Sequence, residues 1–77
     1  MIGELDVVVL KSDLPAEGLE AGDVGTVVLA HHGGGAFEVE FATLTGETVS
    51  VVTLAADAVR AVEPTDISHV RVTAPLS

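Results

Sequence analysis

The sequence predicts a small all-β barrel, and three observations lead to that prediction. Fourteen Val, two Ile and seven Thr make up 23 of the 77 residues, and branching at Cβ suits a pleated strand better than a helix. Short apolar segments recur along the chain, separated by glycine, proline or polar residues. Hydrophobic residues reach 48% of the chain, which excludes the disorder that its acidity and its low aromatic content would otherwise suggest.

The first strand is predicted at Glu4–Lys11, which alternates at first and then becomes apolar on both faces. Such a run is typical of a strand that is covered on both sides. A long loop, Ser12–Gly22, follows, and its only large apolar residues are Leu14 and Leu19. We expect these two side chains to fold back over one end of the core.

The second strand is predicted at Asp23–Ala30, where Gly25 indicates either a bulge or a close approach by another backbone. His31–Gly35 is predicted to be a hairpin loop, because three consecutive glycines do not favour regular structure. The third strand, Ala36–Ala42, alternates strictly. This pattern turns its apolar side chains inward and its acidic side chains outward: Phe37, Val39 and Phe41 face the core, and Glu38 and Glu40 face water.

A tight turn at Thr45–Gly46 leads to a fourth strand, Thr48–Leu54, which forms a hairpin with the third. Ala55–Ala58 is too short for an ordinary helix and fits a single 3₁₀ turn. A short fifth strand, Val59–Val62, follows. Five short strands, a long first loop and one 3₁₀ turn before the last core strand are the order of an SH3-like five-stranded barrel.

The predicted barrel occupies residues 1–62, and residues 63–77 form a C-terminal extension. In that extension Ile67–Thr73 alternates again, as a possible sixth strand or a trailing tail. The chain is too short for a second domain or a large enzyme fold.

Two motifs resemble a small bacterial family of domains of unknown function. One runs from Asp13-Leu14-Pro15 through Gly18-Leu19 to Gly22-Asp23-Val24-Gly25-Thr26-Val27-Val28, and the other is Phe37-Glu38-Val39-Glu40-Phe41. A Thr53-Leu54 pair before Val59-Arg60 extends the resemblance, which covers about residues 4–62. It implies an SH3-like barrel and carries over no activity.

Charge excludes several classes of function. The chain has three Lys and Arg residues and twelve Asp and Glu residues, a formal net charge of −9. This charge disfavours a surface for nucleic-acid phosphates.

Other absences narrow the classes further. The chain has no Cys, so it has no disulfide and no thiolate ligand or nucleophile. It has no apolar run of about 18 residues and no basic N-terminal stretch. We therefore expect a cytoplasmic protein that does not act at a membrane.

The polar residues suggest no catalytic residue, metal ligand or cofactor. His31 and His32 are adjacent and His69 is distant, without the spacing of a zinc motif. Glu38 and Glu40 share one face of a strand, and a solvated outer face explains them better than a pair of catalytic carboxylates. The triple glycine lacks the Lys-Ser/Thr of a phosphate-binding loop. We therefore predict that the protein is not an enzyme.

Protein–protein contact is the leading functional hypothesis, either as a homo-oligomer or with a partner protein. Two alternatives stay open: an acidic antitoxin or inhibitor that neutralises a basic nucleic-acid-binding protein, and a small accessory subunit of an enzyme. Strand one and the Ser50–Leu54 run form an association patch if one side of them is exposed, and ordinary core if it is not. The candidate contact residues are Leu14, Leu19, His31, His32, Ile67, Val70 and Val72.

Overall fold

The structure, a computed structural model, describes residues 2–73. Its five strands are β1 (Val7–Leu10), β2 (Val24–Ala30), β3 (Ala36–Ala42), β4 (Thr48–Ala55) and β5 (Val59–Ala61). Three 3₁₀ turns lie at Pro15–Glu17, His32–Gly34 and Ala56–Ala58, and no α-helix occurs within the described residues. The all-β prediction is confirmed, including the 3₁₀ turn immediately before the last strand.

All five strands belong to one antiparallel sheet in the order β4-β3-β2-β1-β5. The chain runs through β2, β3 and β4 as successive neighbours, then crosses back so that β5 pairs with β1. Within residues 2–73, β4 pairs only with β3 and β5 only with β1. No pairing between β4 and β5 closes the sheet into a barrel in that part of the chain.

The core lies on one face of the curved sheet. The alternation of β3 puts Phe37, Val39 and Phe41 on that face, each no more than 3% exposed. The other strands and the first loop complete one apolar cluster, which contains Val8, Leu10, Leu19, Val27, Leu54 and Val59. A buried cluster of this kind is the main favourable contribution to folding in so small a domain.

β1 is shorter than predicted because the chain turns just before it. Leu5 has a positive φ of 71°, which is unusual for a residue with a side chain. The backbone N–H of Gly3 donates to Oδ2 of Asp6 at 2.8 Å, and the N–H of Asp6 donates to the carbonyl of Gly3 at 3.1 Å. These bonds close a turn, so regular pairing with β2 begins only at Val7.

Gly25 marks a close approach between strands, one of its two predicted roles. A Cβ on Gly25 would lie 2.6 Å from Cγ1 of Val39 and 2.9 Å from the carbonyl oxygen of Glu40. The irregularity in β2 lies further along, between Val27 and Leu29. The absence of a side chain at Gly25 therefore lets β3, the neighbouring strand, pack closely against the backbone of β2.

The C-terminal segment, defined here as residues 63–73, forms no strand in the structure. It turns at its start, where the N–H of Asp66 donates to the carbonyl of Glu63 at 3.0 Å. The Ile67–Thr73 stretch therefore follows the alternative of a trailing tail rather than a sixth strand. The rest of the predicted extension, residues 74–77, lies outside the described residues.

In the part of the chain that the structure describes, no helix has the length and apolar character needed to cross a membrane.

Candidate protein-binding surface

The face of the sheet opposite the core, here called the outer face, can be read from the strand register. Val7, Thr26, Glu40 and Val51 pair directly across β1, β2, β3 and β4, and directly paired residues point to the same side of a sheet. Side chains alternate along a strand, so the same side also carries Val9, Val24, Glu38, Thr53 and Arg60. Leu29 joins this side because the irregularity after Val27 pairs it with Glu38.

Apolar side chains on the outer face are substantially exposed. Val7, Val24, Leu29 and Val51 are 47%, 52%, 46% and 55% exposed. Val9, which lies among them, is 7% exposed and outside the core cluster. Val7 on β1 and Val51 on β4 therefore leave the outer side of each doubly apolar run partly open to water, although Val9 is covered. An exposed side is the condition under which the sequence predicts an association patch.

Two carboxylates of β3 lie beside these apolar side chains and are held by hydroxyls of β4. Thr53 Oγ1 donates to Glu38 at 2.8 and 2.7 Å, and Thr48 Oγ1 donates to Glu40 at 2.5 Å. His31 Nε2 lies 2.5 Å from Oε2 of Glu38. These contacts, first the one with His31 and then the one with Thr53, hold the pKa of Glu38 below its ordinary value.

A third carboxylate reaches β4 from the other side. Glu17, in the first 3₁₀ turn, accepts a hydrogen bond from Ser50 Oγ at 2.7 Å. Ser50 pairs with Phe41 and so points to the core side of β4. All three hydroxyl side chains of β4 therefore hold a carboxylate.

The C-terminal segment is tied to the first loop by one arginine. Arg71 donates from Nε to Oδ1 of Asp23 at 2.8 Å, from Nη2 to Oδ2 of Asp23, and from Nη2 to the carbonyl of Gly18 at 3.0 Å. Its Nη1 lies 3.6 Å from Glu20. The hydrogen bond from Arg71 lowers the pKa of Asp23, although partial burial opposes that shift.

A second arginine fixes the start of the same segment. Arg60, on β5, makes a two-bond pair with Asp66, with Nη1 and Nη2 at 2.9 and 2.8 Å from the carboxylate oxygens. Asp66 also accepts from the N–H of Glu63 at 2.7 Å. The bonds from Arg60, and then from Glu63, lower the pKa of Asp66 to about 2, as expected for a carboxylate with several donors.

The structure separates the sequence-predicted contact residues into two groups. Leu14 and Leu19 pair with each other as an isolated bridge, and both pack against the core. Leu19 is 3% exposed, so burial removes it from the contact surface. The others have exposed side chains but lie at separate places: His31 and His32 in the hairpin loop, and Ile67, Val70 and Val72 on the C-terminal segment.

Sequence reasoning missed the specific residues of the outer face. The doubly apolar runs of β1 and β4 gave the signal, but periodicity alone does not say which side remains uncovered. The exposure of Val24 and Leu29 is not predicted, because the sequence pattern of β2 is that of an ordinary buried strand. The Arg71–Asp23 pair joins residues 48 positions apart, and no local pattern predicts such a contact.

Histidine and carboxylate side chains do not gather around a common point in the part of the chain that the structure describes. Within residues 2–73 no group of three His, Asp or Glu is placed to hold a metal ion. His31 approaches a single carboxylate, that of Glu38. A surface depression lies between the N-terminal turn and β5. Its lining is mainly apolar and consists of Ile2, Val7, Ala61 and Val62, together with Asp6.

The strand order and the 3₁₀ turns define a small all-β domain. The chain belongs to a family described as Domain of unknown function (DUF4926), whose model matches residues 4–61. The match ends at the last residue of β5, so the C-terminal segment lies beyond it. No curated protein and no solved structure gives a significant match.

Replacing Arg71 with Gln is expected to release the C-terminal segment from the first loop. The change removes the charged donors to Asp23 and to the carbonyl of Gly18. Backbone ¹⁵N relaxation should then show order parameters for residues 69–73 falling below about 0.6, the range of flexible backbone. The order parameters of β1–β4 should stay near about 0.85, since no core contact is lost.

The same variant is expected to raise the pKa of Asp23 toward its ordinary value of 3.8, measured by ¹³C chemical shift of the carboxyl group. A lowered native pKa means that the pair stabilises the fold above pH 3.8 and that this contribution disappears as pH falls through the native value. Lys11→Gln, which removes one cation elsewhere, is the matched control. An unchanged Asp23 titration in the Arg71 variant would contradict the assignment.

Proposed function

We propose that the protein is a non-catalytic, cytoplasmic binding module that contacts another protein through the outer face of its sheet. The observation that carries the proposal is the set of half-exposed apolar side chains on that face, Val7, Val24, Leu29 and Val51. Protein interfaces commonly combine a buried apolar centre with a polar rim. Here Glu38 and Glu40 supply acidic groups beside the apolar ones.

Charge favours a basic partner protein over a second copy of the chain. The formal net charge is −9, and both arginines already pair with carboxylates of the same chain. Two copies that meet through the outer face would bring like charges together, which costs free energy, whereas a basic surface would be attracted.

The placement of the acidic residues supports a general binding module more than a charge-mimicking inhibitor. Carboxylates occur on the outer face, but others lie in the N-terminal turn, the first loop and the C-terminal segment: Glu4, Asp6, Asp13, Glu20, Glu63 and Asp66. An inhibitor that imitates a nucleic acid would concentrate them on one face. The inhibitor and the accessory subunit therefore remain secondary hypotheses.

The proposal is tested by capture of binding proteins on the full chain and by sedimentation of the chain alone. We expect the native protein to retain a specific basic partner. The double variant Val24→Ser, Leu29→Ser should bind that partner at least about tenfold more weakly, because two apolar contacts are lost. The measurement is titration calorimetry with the purified partner.

Leu5→Ser with Leu44→Ser is the matched control. It also replaces two exposed apolar residues, 79% and 91% exposed, but in the N-terminal turn and the β3–β4 turn. The control should bind as the native protein does. A monomer at high micromolar concentration that captures no protein would contradict the proposal, as would equal weakening by both double variants.

A further inference from the structure

β4 is a long sheet edge with little of the usual protection against pairing, and its irregularity, opposite Phe41 and Ala42, lies near its start. Its eight residues, Thr48–Ala55, include no charged residue, no proline and no glycine, and five of them are β-branched. In residues 2–73 its backbone pairs only with β3. Sheet edges are normally shortened, charged or covered, because their free N–H and C=O groups accept another strand.

The opposite edge of the sheet, β5, is short and carries a charge. β5 has only three residues, Val59–Ala61, and the middle one is Arg60. Pro64 follows closely in the chain. These are the devices that block an edge, so the contrast singles out β4 as the edge open to a further strand.

Negative charge follows β4 along most of its length. Its hydroxyls hold Glu40 near the start, Glu17 near the middle and Glu38 near the end, with O–O distances of 2.5 to 2.8 Å. Glu38 and Glu40 lie on the outer side, whereas Glu17 approaches the side that faces the core. A strand added at this edge would have a carboxylate within reach on either of its faces.

The cations of the described chain lie elsewhere. Lys11 follows β1, Arg60 is paired with Asp66, and Arg71 is paired with Asp23. Apart from the contact of His31 with Glu38, no cationic side chain in residues 2–73 pairs with the carboxylates along β4. The charge at this edge therefore complements a basic ligand.

We propose that β4 binds an extended, basic segment of a partner protein as a sixth strand. This inference rests on the proposed function and names the class of ligand. Backbone hydrogen bonds to the free edge supply affinity, and lysine or arginine side chains that reach Glu17, Glu38 and Glu40 supply selectivity. An added strand lies about 4.8 Å from β4 and hence about 9.6 Å from β3, a gap that a lysine and a glutamate side chain span together.

A second copy of the chain fits this edge poorly. Pairing β4 with β4 of another molecule would place three carboxylates of each copy alongside three of the other. The uncompensated charges would repel each other, whereas each lysine of a basic segment gains an opposite charge. The basic segment is therefore the occupant that the charges favour.

The test uses an acetylated, amidated nine-residue peptide of alternating lysine and valine as the probe, with the full chain. We expect saturable binding by calorimetry and at least about tenfold slower amide hydrogen exchange at alternate residues of β4, whose N–H groups point out of the sheet. A peptide of the same sequence that is N-methylated at its four central residues keeps the charge but loses strand donors on both edges. It should bind at least about tenfold more weakly.

Paired variants separate the charge at the edge from net charge. Glu38→Gln with Glu40→Gln should weaken peptide binding about tenfold and reduce its salt dependence. Glu4→Gln with Glu63→Gln, which removes the same charge near β1 and beyond β5, should leave binding within about twofold. Equal weakening by the two pairs would overturn the proposal.

Three further results would overturn it. The first is equal binding of the methylated peptide, since attraction alone would then explain affinity. The second is absence of peptide binding, or exchange protection confined to β1 and β2. The third is a dimer of the native protein with its outward β4 amides already protected, which would assign the edge to a second copy. Either of the first two results would overturn only the β4 proposal. The proposed function would still be tested independently by partner capture and the outer-face variants.

Discussion

Replacing Gly25 with Ala is expected to destabilise the fold by about 2 kcal/mol. The new methyl group would lie 2.6 Å from Cγ1 of Val39 and 2.9 Å from the carbonyl oxygen of Glu40, so side chain and backbone of β3 must both shift. Overpacking of this kind costs about 1–3 kcal/mol. The lower entropy of the unfolded alanine chain returns only about 0.4–1 kcal/mol. The free energy of unfolding is measured with urea by far-UV circular dichroism, because the chain has no Trp and no Tyr.

Gly35→Ala is the matched control for the same substitution. Gly35 has an ordinary φ of −84°, and a Cβ there would meet no atom within 4 Å. We therefore expect this variant to be neutral or more stable by about 0.4–1 kcal/mol, because only the unfolded chain is affected. Opposite signs for the two variants would establish the close approach of β2 and β3. Equal stability would show that the strands lie further apart than described.

The elements predicted best are those with a strict local pattern. β3 begins and ends at the predicted residues, Ala36 and Ala42, because its alternation has period 2 and glycines mark its start. β1 begins three residues later than predicted, at Val7. The cause is the turn built by Asp6 and Leu5, and the apolar pattern contains no information about it.

The C-terminal segment shows that an alternating pattern does not by itself produce a strand. Ile67–Thr73 alternates as a strand does, but a strand also needs a neighbouring backbone with free donors and acceptors. Arg71 instead binds Asp23 and the carbonyl of Gly18, which holds this stretch at the first loop. Those contacts depend on the folded position of the loop, so they cannot be predicted from spacing.

The candidate surfaces depend on tertiary structure in the same way. The sequence indicates that β1 and β4 are apolar on both sides. That β4 lies at an edge of the sheet and that Val51 is exposed become known only from the folded structure. The hydroxyls of β4 looked like ordinary strand residues. Their role becomes visible when Thr48, Ser50 and Thr53 are each found to hold a carboxylate.

Replacing Phe41 with Ala is expected to have the largest effect on stability, about 3–5 kcal/mol, the usual cost of such a cavity. Phe41 is 2% exposed, and apart from Phe37 its core cluster contains only Val and Leu side chains, which are too small to fill the space. A core in a domain of this size supplies about 3–5 kcal/mol in total. The variant should therefore be largely unfolded at 25 °C, with its amide ¹H shifts collapsed in an NMR spectrum.

Two controls separate the size of the side chain from its position. Phe41→Leu keeps most of the apolar volume and should remain folded, with a loss of about 1.5 kcal/mol. Leu44→Ala removes a large side chain that is 91% exposed and should change the free energy of unfolding by less than about 0.5 kcal/mol. A folded Phe41→Ala variant that loses less than about 1 kcal/mol of unfolding free energy would mean that the ring lies at the surface and does not fill the core. The assignment of Phe37, Val39 and Phe41 to the core side of β3 would then be wrong.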